Sequence, residues 1–483
     1  MSIPKKLFGR IFGPLAFLLI YSFFSPEGLS KEGVSVLAVT AWVAIWWISE
    51  AIPVEANSLL PIILFPLTGA LDLTKTCAAY GHKFIFLFVG GFILAIAIEK
   101  WNLHKRISLS IIKVVGTNLS NIILGFMIST AFLSMWISNT ATTVMMLPIG
   151  IAIVAQIEVG KKPGSKQFGK ALMLAIAYAA SIGGIATLIG TPPNIILAGV
   201  IEQTYNVELS FMKWFSIGLP ISMVLLFLCW KYLTKIAFDF KELTLDGGKA
   251  LIVKQLKDLG KMSSEEKKVL VVFLLTALAW IFRSIFLNKL LPNIDDTIIA
   301  VTAALVLFVL PSSNKNEPLL KWKDAVKLPW GILLLFGGGI AIAVGFQSSG
   351  LAEWVALQLQ GLNGVHLFIV LFVLIASVNF LTEITSNLAT ASVLLPLLAP
   401  LALAMDVHPY VLMVGCTLAA SCAFMLPVAT PPNAIVFGSG KLQISDMVRA
   451  GIWMNIISIV ILTLAVYGLL PMLWEIDISS FPK

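Results

Sequence analysis

Two asparagines, Asn139 and Asn387, each follow a serine and open a short polar run. The runs read SNTATT at 138–143 and SNLATA at 386–391, 248 positions apart in a chain of 483 residues. Downstream of each lies a Thr-Pro-Pro-Asn, in GTPPN at 190–194 and ATPPN at 429–433. A polar turn that begins a helix aims N–H groups and the positive end of the helix dipole at whatever lies in front of it, which suits an anion. Two such turns facing each other would clamp an anion with two negative ends. The prolines offer the opposite polarity. Pro192 and Pro193 cannot donate to the carbonyls of Leu188 and Ile189, nor Pro431 and Pro432 to those of Pro427 and Val428. Carbonyl oxygens left free beside Ser and Asn oxygens form an all-oxygen site. Without a carboxylate such a site fits a monovalent cation such as Na⁺ better than Ca²⁺ or Mg²⁺. The segments expected to line the site contain no Lys or Arg, so anion binding should depend on the co-bound cation, which is symport.

These turns need helices to hold them, and the composition says where. The chain is 58% hydrophobic and 12% charged, against roughly 25% charged for a soluble domain, and its mean hydropathy is +0.95. Apolar runs of membrane-spanning length recur throughout. The expected fold is an all-α polytopic membrane protein, with about 11 transmembrane helices plus two re-entrant hairpins tipped by the SNT and SNL turns. That arrangement puts 26 of the 33 Lys and Arg on one side, the inside. A hairpin read instead as a single span would send the basic loops 100–113 and 161–170 to opposite sides. The N-terminus is then cytoplasmic and the C-terminus external. The net charge of +8 reflects basic loops at an anionic leaflet rather than nucleic-acid binding. The four cysteines lack metal-ligand spacing and read as packing residues. No paired Asp, HExxH or Ser–His constellation points to an enzyme, and no continuous polar stripe points to a channel.

A shift of 248 also aligns FVGGFILAIA (88–97) with FGGGIAIAVG (336–345), and SMWISNTATTVMMLP (134–148) with TEITSNLATASVLLP (382–396); the TPPN motifs align at an offset of 239. Since 84–99 and 329–346 run in opposite directions in this topology, the halves are inverted-topology repeats, the architecture of alternating-access transporters. The expected organisation is scaffold helices in 1–82, a first-repeat transport region in 83–210, scaffold helices in 211–328, a second-repeat transport region in 329–449, and a terminal helix in 450–483. Residues 235–268 read as a cytoplasmic interfacial linker, interrupted at Gly247 and Gly248 and ending in a capping box from Ser263 to Glu266. Residues 102–115 read as an amphipathic surface helix. Glu50, Glu55 and Glu383 read as cap or loop-anchoring residues, with a proton relay as the alternative.

SMWISNTATT, GTPPN, TEITSNLAT and ATPPN together resemble the divalent anion/sodium symporter family, whose pattern of spans matches over nearly the whole chain. The resemblance implies a plasma-membrane (inner-membrane) homodimer that couples Na⁺ to uptake of a C4-dicarboxylate such as succinate, malate or fumarate, by an elevator motion of a transport domain against a scaffold. It implies a first Na⁺ site at Ser134, Ser138, Asn139 and Gly190, and a second at Thr382, Thr385, Asn387 and Ala429. The dicarboxylate would lie between Ser138, Asn139 and Thr140 on one side and Ser386 and Asn387 on the other, near Thr191, Thr430 and Pro431. One departure is Leu388, which stands where the first motif has Thr140 and removes a hydroxyl. A Na⁺-independent dicarboxylate exchanger, or a sulfate or citrate transporter of the same family, are the alternative readings.

Overall fold

The computed structural model describes residues 5–116, 118–159, 164–240, 248–314, 317–359 and 364–479. These residues form α-helices, short π-helical segments and loops, with a lone bridge between Pro311 and Pro318 and no strand. Ten helices among them are long and apolar enough to cross a membrane, and five shorter apolar helices accompany them. The shorter ones include both helices that precede a hairpin tip, one helix that ends at a broken stretch, and Asp296–Val309.

The amino-terminal helices are α1 (Lys5–Phe23), α2 (Lys31–Ser49), α3 (Leu60–Thr68) and α4 (Lys83–Lys100). The amphipathic helix α5 (Leu103–Val115) buries Leu103, His104, Ser108, Leu109 and Ile112 on one face, as its pattern requires. The first hairpin is α6 (Leu119–Ser134) and α7 (Asn139–Val159). α7 doubles back along α6, so that a Cβ at Gly150 would stand 3.7 Å from the Phe126 ring. A broken helix follows, α8 (Ser165–Ile185) and α9 (Pro192–Tyr205), and then α10 (Phe211–Tyr232).

Of the central linker, α11 (Gly248–Asp258) is described, while Gly247 lies outside the described residues. The capping box forms at the start of α12 (Ser264–Phe282): Ser263 Oγ accepts from Glu266 N at 3.1 Å, and Glu266 accepts from Ser263 N at 2.7 Å. After α13 (Asp296–Val309) the second half repeats the first. It comprises α14 (Trp330–Ser348), the hairpin α15 (Leu367–Leu381) and α16 (Asn387–Ala404), the broken pair α17 (Pro409–Ala420) and α18 (Pro431–Phe437), and α19 (Ile444–Leu464).

Ion pairs fix the directions. Lys100, ending α4, meets Asp324 just before α14 at 2.7 Å, while Lys83, starting α4, meets Glu202 at 2.7 Å. Gln347, near the end of α14, donates to the Thr204 carbonyl at 3.1 Å. The equivalent helices α4 and α14 therefore run in opposite directions, and the repeats are inverted. Call the end with Lys83, Glu202 and Gln347 face A, and the end with Lys100 and Asp324 face B. The first hairpin springs from face B, where Arg106 meets Glu266 at 2.9 Å. The second springs from face A, where Phe368 packs on Tyr467 and Tyr410 on Trp474. Cys229, Cys416 and Cys422 are buried and Cys77 is exposed, all unpaired.

Candidate functional site

Both hairpin tips start a helix with a serine. Ser138 Oγ accepts from Ala141 N at 3.3 Å and its carbonyl from Thr142 N at 2.9 Å; in the second tip the Ser386 carbonyl accepts from Thr390 N at 2.9 Å. Behind each tip lies the same three-oxygen arrangement. Ser134 Oγ is 2.6 Å from Asn139 Oδ1 and 2.7 Å from the Ala180 carbonyl. Thr382 Oγ1 is 2.7 Å from Asn387 Oδ1 and 3.1 Å from the Ala420 carbonyl. Each hydroxyl has one proton for two acceptors, so every triad carries surplus oxygen lone pairs in a buried place, and Ser134 and Thr382 are themselves wholly buried. Oxygen surplus without a carboxylate is chemistry for a monovalent cation. Among the described residues no group of three or more His, Cys, Asp or Glu gathers as a metal site.

The prolines act differently from the expectation of a broken helix interior. Thr191 and Thr430 are extended (φ −142° and −141°), and Pro192 and Pro431 open helices as their first residues. Proline suits that position because the N–H it lacks would have had no intrahelical partner. Two consecutive prolines thus remove two donors from the helix start while its carbonyls run away from the cavity. The broken stretches are stapled by the asparagine that ends each motif. Asn194 Nδ2 donates to the carbonyls of Thr187 at 2.8 Å and Gly184 at 3.2 Å. Asn433 Nδ2 does the same for Leu426 at 3.0 Å and Ala423 at 3.3 Å. These partners correspond at the offset of 239. Two further end carbonyls of α8 are taken by α10, with Trp214 Nε1 donating to Ile185 at 2.9 Å and Ser222 Oγ to Ile182 at 2.8 Å. The sequence shows these asparagines but not which way their amides turn.

Glu383, buried within the second tip, is an anchor. Its Oε1 accepts from Phe424 N (2.7 Å), Met425 N (2.9 Å) and Asn455 Nδ2 (2.8 Å), and its Oε2 from Leu426 N (3.0 Å).

All four motifs line one cavity of about 740 Å³. Ser138, Asn139, Thr140, Gly190 and Thr191 face it from the first half, and Thr385, Ser386, Asn387, Ala429, Thr430 and Pro431 from the second, with Leu388 opposite its counterpart Thr140. Ser134 and Thr382 are not in the lining; they stand behind it as the inner members of the triads. The Thr385 hydroxyl bonds Thr390 Oγ1 (2.7 Å) and the Leu381 carbonyl (2.8 Å), which leaves its backbone for the cavity. Among the described residues no Lys or Arg lines the cavity, but Glu50 and Glu55 do, beside Ile332. Ile332 lies at the face-B start of α14 and Glu55 packs against Gly331 beside it. Glu50 follows α2, whose other end is tied to face A by the Ser30 hydroxyl donating to the Ser349 carbonyl, so the cavity extends toward face B. Gly184 is a further site residue that the motifs did not mark: a Cβ there would stand 2.5 Å from Asn139 Oδ1.

An all-helical chain with inverted repeats, two opposed hairpin tips and broken helices around one cavity has the architecture of a secondary transporter. It belongs to the sodium:sulfate symporter family, whose transmembrane region matches residues 5–474. Among its relatives, the sodium-dependent dicarboxylate transporter SdcS of Staphylococcus saprophyticus is 50% identical, over 98% of this chain and 93% of that protein. SdcS of Staphylococcus aureus strain USA300 is 49% identical over the same shares. The fold is similar to two solved structures, each 12% identical. One is the Alcanivorax borkumensis YdaH transporter (TM-score 0.60, 91% of this chain and 99% of that chain), and the other Neisseria gonorrhoeae MtrF (TM-score 0.56, 97% and 96%).

Proposed function

We propose that this protein couples Na⁺ to the transport of a C4-dicarboxylate such as succinate, malate or fumarate. The observation that carries the reading is the pair of matching triads, Ser134–Asn139–Ala180 and Thr382–Asn387–Ala420, behind two tips that face one cavity. Each Asn turns its side-chain oxygen into the triad, while the helix start beside it turns N–H groups toward the cavity. Filling the triads with Na⁺ places positive charge behind both tips, so the dianion binds only after the cations do. The names of the relatives, sodium-dependent dicarboxylate transporters, support the same substrate and coupling ion.

The moving body in this reading comprises both hairpins, both broken helices, and α10 and α19, since α10 bonds α8 through Trp214 and Ser222, and Asn455 of α19 bonds Glu383. It would slide as an elevator against α1–α4 and α12–α14 within a homodimer in the plasma membrane. Relative to the divisions at 83, 211 and 329 expected from the sequence, this reading moves α10 into the transport body and α4 and α14 into the scaffold, α4 because its Gly90 lies against the Ala300 backbone of α13. We take face B, which carries most of the basic loops, as cytoplasmic; the cavity is then in its inward-opening state. The sidedness can be checked by accessibility of a single cysteine placed at Lys268 on that face.

The test is uptake of radiolabelled succinate into proteoliposomes. Uptake with an inward Na⁺ gradient that stops when K⁺ replaces Na⁺ is the expected result. Uptake without Na⁺ but only into dicarboxylate-loaded vesicles would make the protein an exchanger and remove the cation role from the triads.

A further inference from the structure

The cavity continues beyond its rim. A second chamber of about 280 Å³ adjoins it on face B and shares Glu50, Val54 and Ser386 with it. The chamber's other charged residues are Lys6 and Arg10, which lie four residues apart and so share one face of α1. α1 is held against α2 through glycines. Trp46 Nε1 donates to the Gly9 carbonyl at 2.8 Å, and a Cβ at Gly9 would stand 1.9 Å from Ser49 Oγ. Arg10 Nε donates to the Ala51 carbonyl at 2.9 Å, which fixes the guanidinium while its two terminal nitrogens have no partner among the described residues. Lys6 has neither a hydrogen bond nor an ion pair among them. Both side chains are exposed to the chamber.

This placement meets a need the main cavity creates. Its rim carries two carboxylates, Glu50 and Glu55, and its lining has no cation among the described residues. A dianion passing that rim is repelled, more strongly than in bulk water because the walls are apolar. Among the described residues, Lys6 and Arg10 are the basic side chains lining either chamber.

We propose that the chamber is a second anion site, a vestibule that receives one carboxylate of the dianion on its way between the cavity and face B. Arg10 grips the carboxylate side-on with its two terminal nitrogens, the geometry in which guanidinium and carboxylate match, and Lys6 adds a second charge beside it. Ser386, common to both chambers, lies where the anion passes from one to the other. The inference rests on the dicarboxylate transport proposed above.

The experiment uses right-side-out and inverted membrane vesicles containing the full chain, with initial rates of radiolabelled succinate uptake measured against succinate concentration at saturating Na⁺. For the double variant Lys6→Gln/Arg10→Gln, the half-saturating concentration measured from face B should rise about 3- to 10-fold at low salt, with the effect shrinking at high ionic strength. Measured from face A it should not change. Arg10→Lys should recover part of the loss. Lys6→Gln alone breaks no hydrogen bond or ion pair among the described residues and should shift the same constant by about 2-fold, which separates the charge effect from misfolding.

Unchanged constants from face B, or equal changes from both faces, would overturn the vestibule. So would a variant effect in reconstituted vesicles that requires phosphatidylglycerol, because the two cations would then be holding lipid phosphate. Wild-type vesicles that take up no dicarboxylate under any gradient would fail earlier, removing the transport reading and the vestibule together.

Discussion

In the first half the hairpin tip meets the broken helix across a glycine. Gly184 lets Asn139 approach to a distance no Cβ would allow, six residues (186–191) join the two helices, and the Thr187 hydroxyl donates to the Met135 carbonyl. In the second half the residue equivalent to Gly184 is Ala423, the joining stretch is ten residues (421–430), and Glu383 replaces Met135. The shorter stretch is buried almost throughout, whereas Val428 in the longer one is 80% exposed. A short break can be held by packing, one asparagine and one hydroxyl. The longer break has three consecutive N–H groups, 424–426, that no helix satisfies, and a single carboxylate collects all three. The triads in front of these supports are alike, so the same oxygen arrangement rests on a neutral, close-packed support in one half and on a charged anchor in the other.

The largest effects should come where the halves agree. Asn139→Ala and Asn387→Ala each remove the shared acceptor of a triad. Each should cut succinate uptake by roughly 100-fold or more, the equivalent of about 3 kcal/mol of lost ligand interaction, while the elution volume on gel filtration stays that of the wild type. Full uptake in either variant would mean that its tip is not half of a clamp.

The next effect should come where the halves differ. Glu383→Ala strands three backbone N–H groups and the Asn455 amide in a buried place, at about 1–3 kcal/mol for each unsatisfied group. Its thermal unfolding midpoint should fall by at least about 5 °C, and transport should be lost with it. Met135→Ala, at the equivalent place, should cost under about 2 kcal/mol, because Thr187 bonds the Met135 backbone and the substitution leaves that carbonyl in place. Glu383→Gln should fall between, since its amide nitrogen must face a backbone donor. Equal losses at 135 and 383, read by a thermal-shift assay in detergent, would erase the distinction between the two supports.

Much of the site was legible because it is written twice in short local patterns. The SNT, SNL and TPPN motifs line the cavity, the capping box at Ser263 forms, and the opposed directions of α4 and α14 follow the inversion read from the loops. The prolines were open to a better reading. The residue before proline is biased toward extended backbone, so Thr191 and Thr430 could have been taken as the positions just before a helix start rather than inside a kink. The supports were harder to foresee, because their partners are distant or depend on rotamers. The donors to Glu383 come from 41 to 72 positions away, and the amides of Asn194 and Asn433 turn back onto carbonyls that only the fold brings near. Lys6 and Arg10 were visible as a basic amino terminus. Their place beside the cavity comes from the seating of α1 on α2, which hydropathy does not encode.

The finest test exchanges the two halves at a single methyl group. Gly184→Ala gives the first half the residue that the second half has at Ala423, but without the longer stretch that accommodates it. The new Cβ, 2.5 Å from Asn139 Oδ1, must push that side chain away from Ser134 and the Ala180 carbonyl. The half-saturating Na⁺ concentration for uptake should rise about 10-fold, corresponding to about 1.4 kcal/mol of a displaced hydrogen-bonding ligand. The reverse exchange, Ala423→Gly, removes one methyl from a buried position and should leave the Na⁺ constant within about 2-fold. Sodium activation curves measured on both variants at saturating succinate separate the two. A shift confined to Gly184→Ala ties cation affinity to the position of Asn139. A shift of equal size in Ala423→Gly would mean that the second triad depends on its backbone as closely as the first does on its glycine. No shift in either would mean that Asn139 can be displaced without cost to the cation, and the first triad would then be a structural hydrogen bond rather than a sodium site.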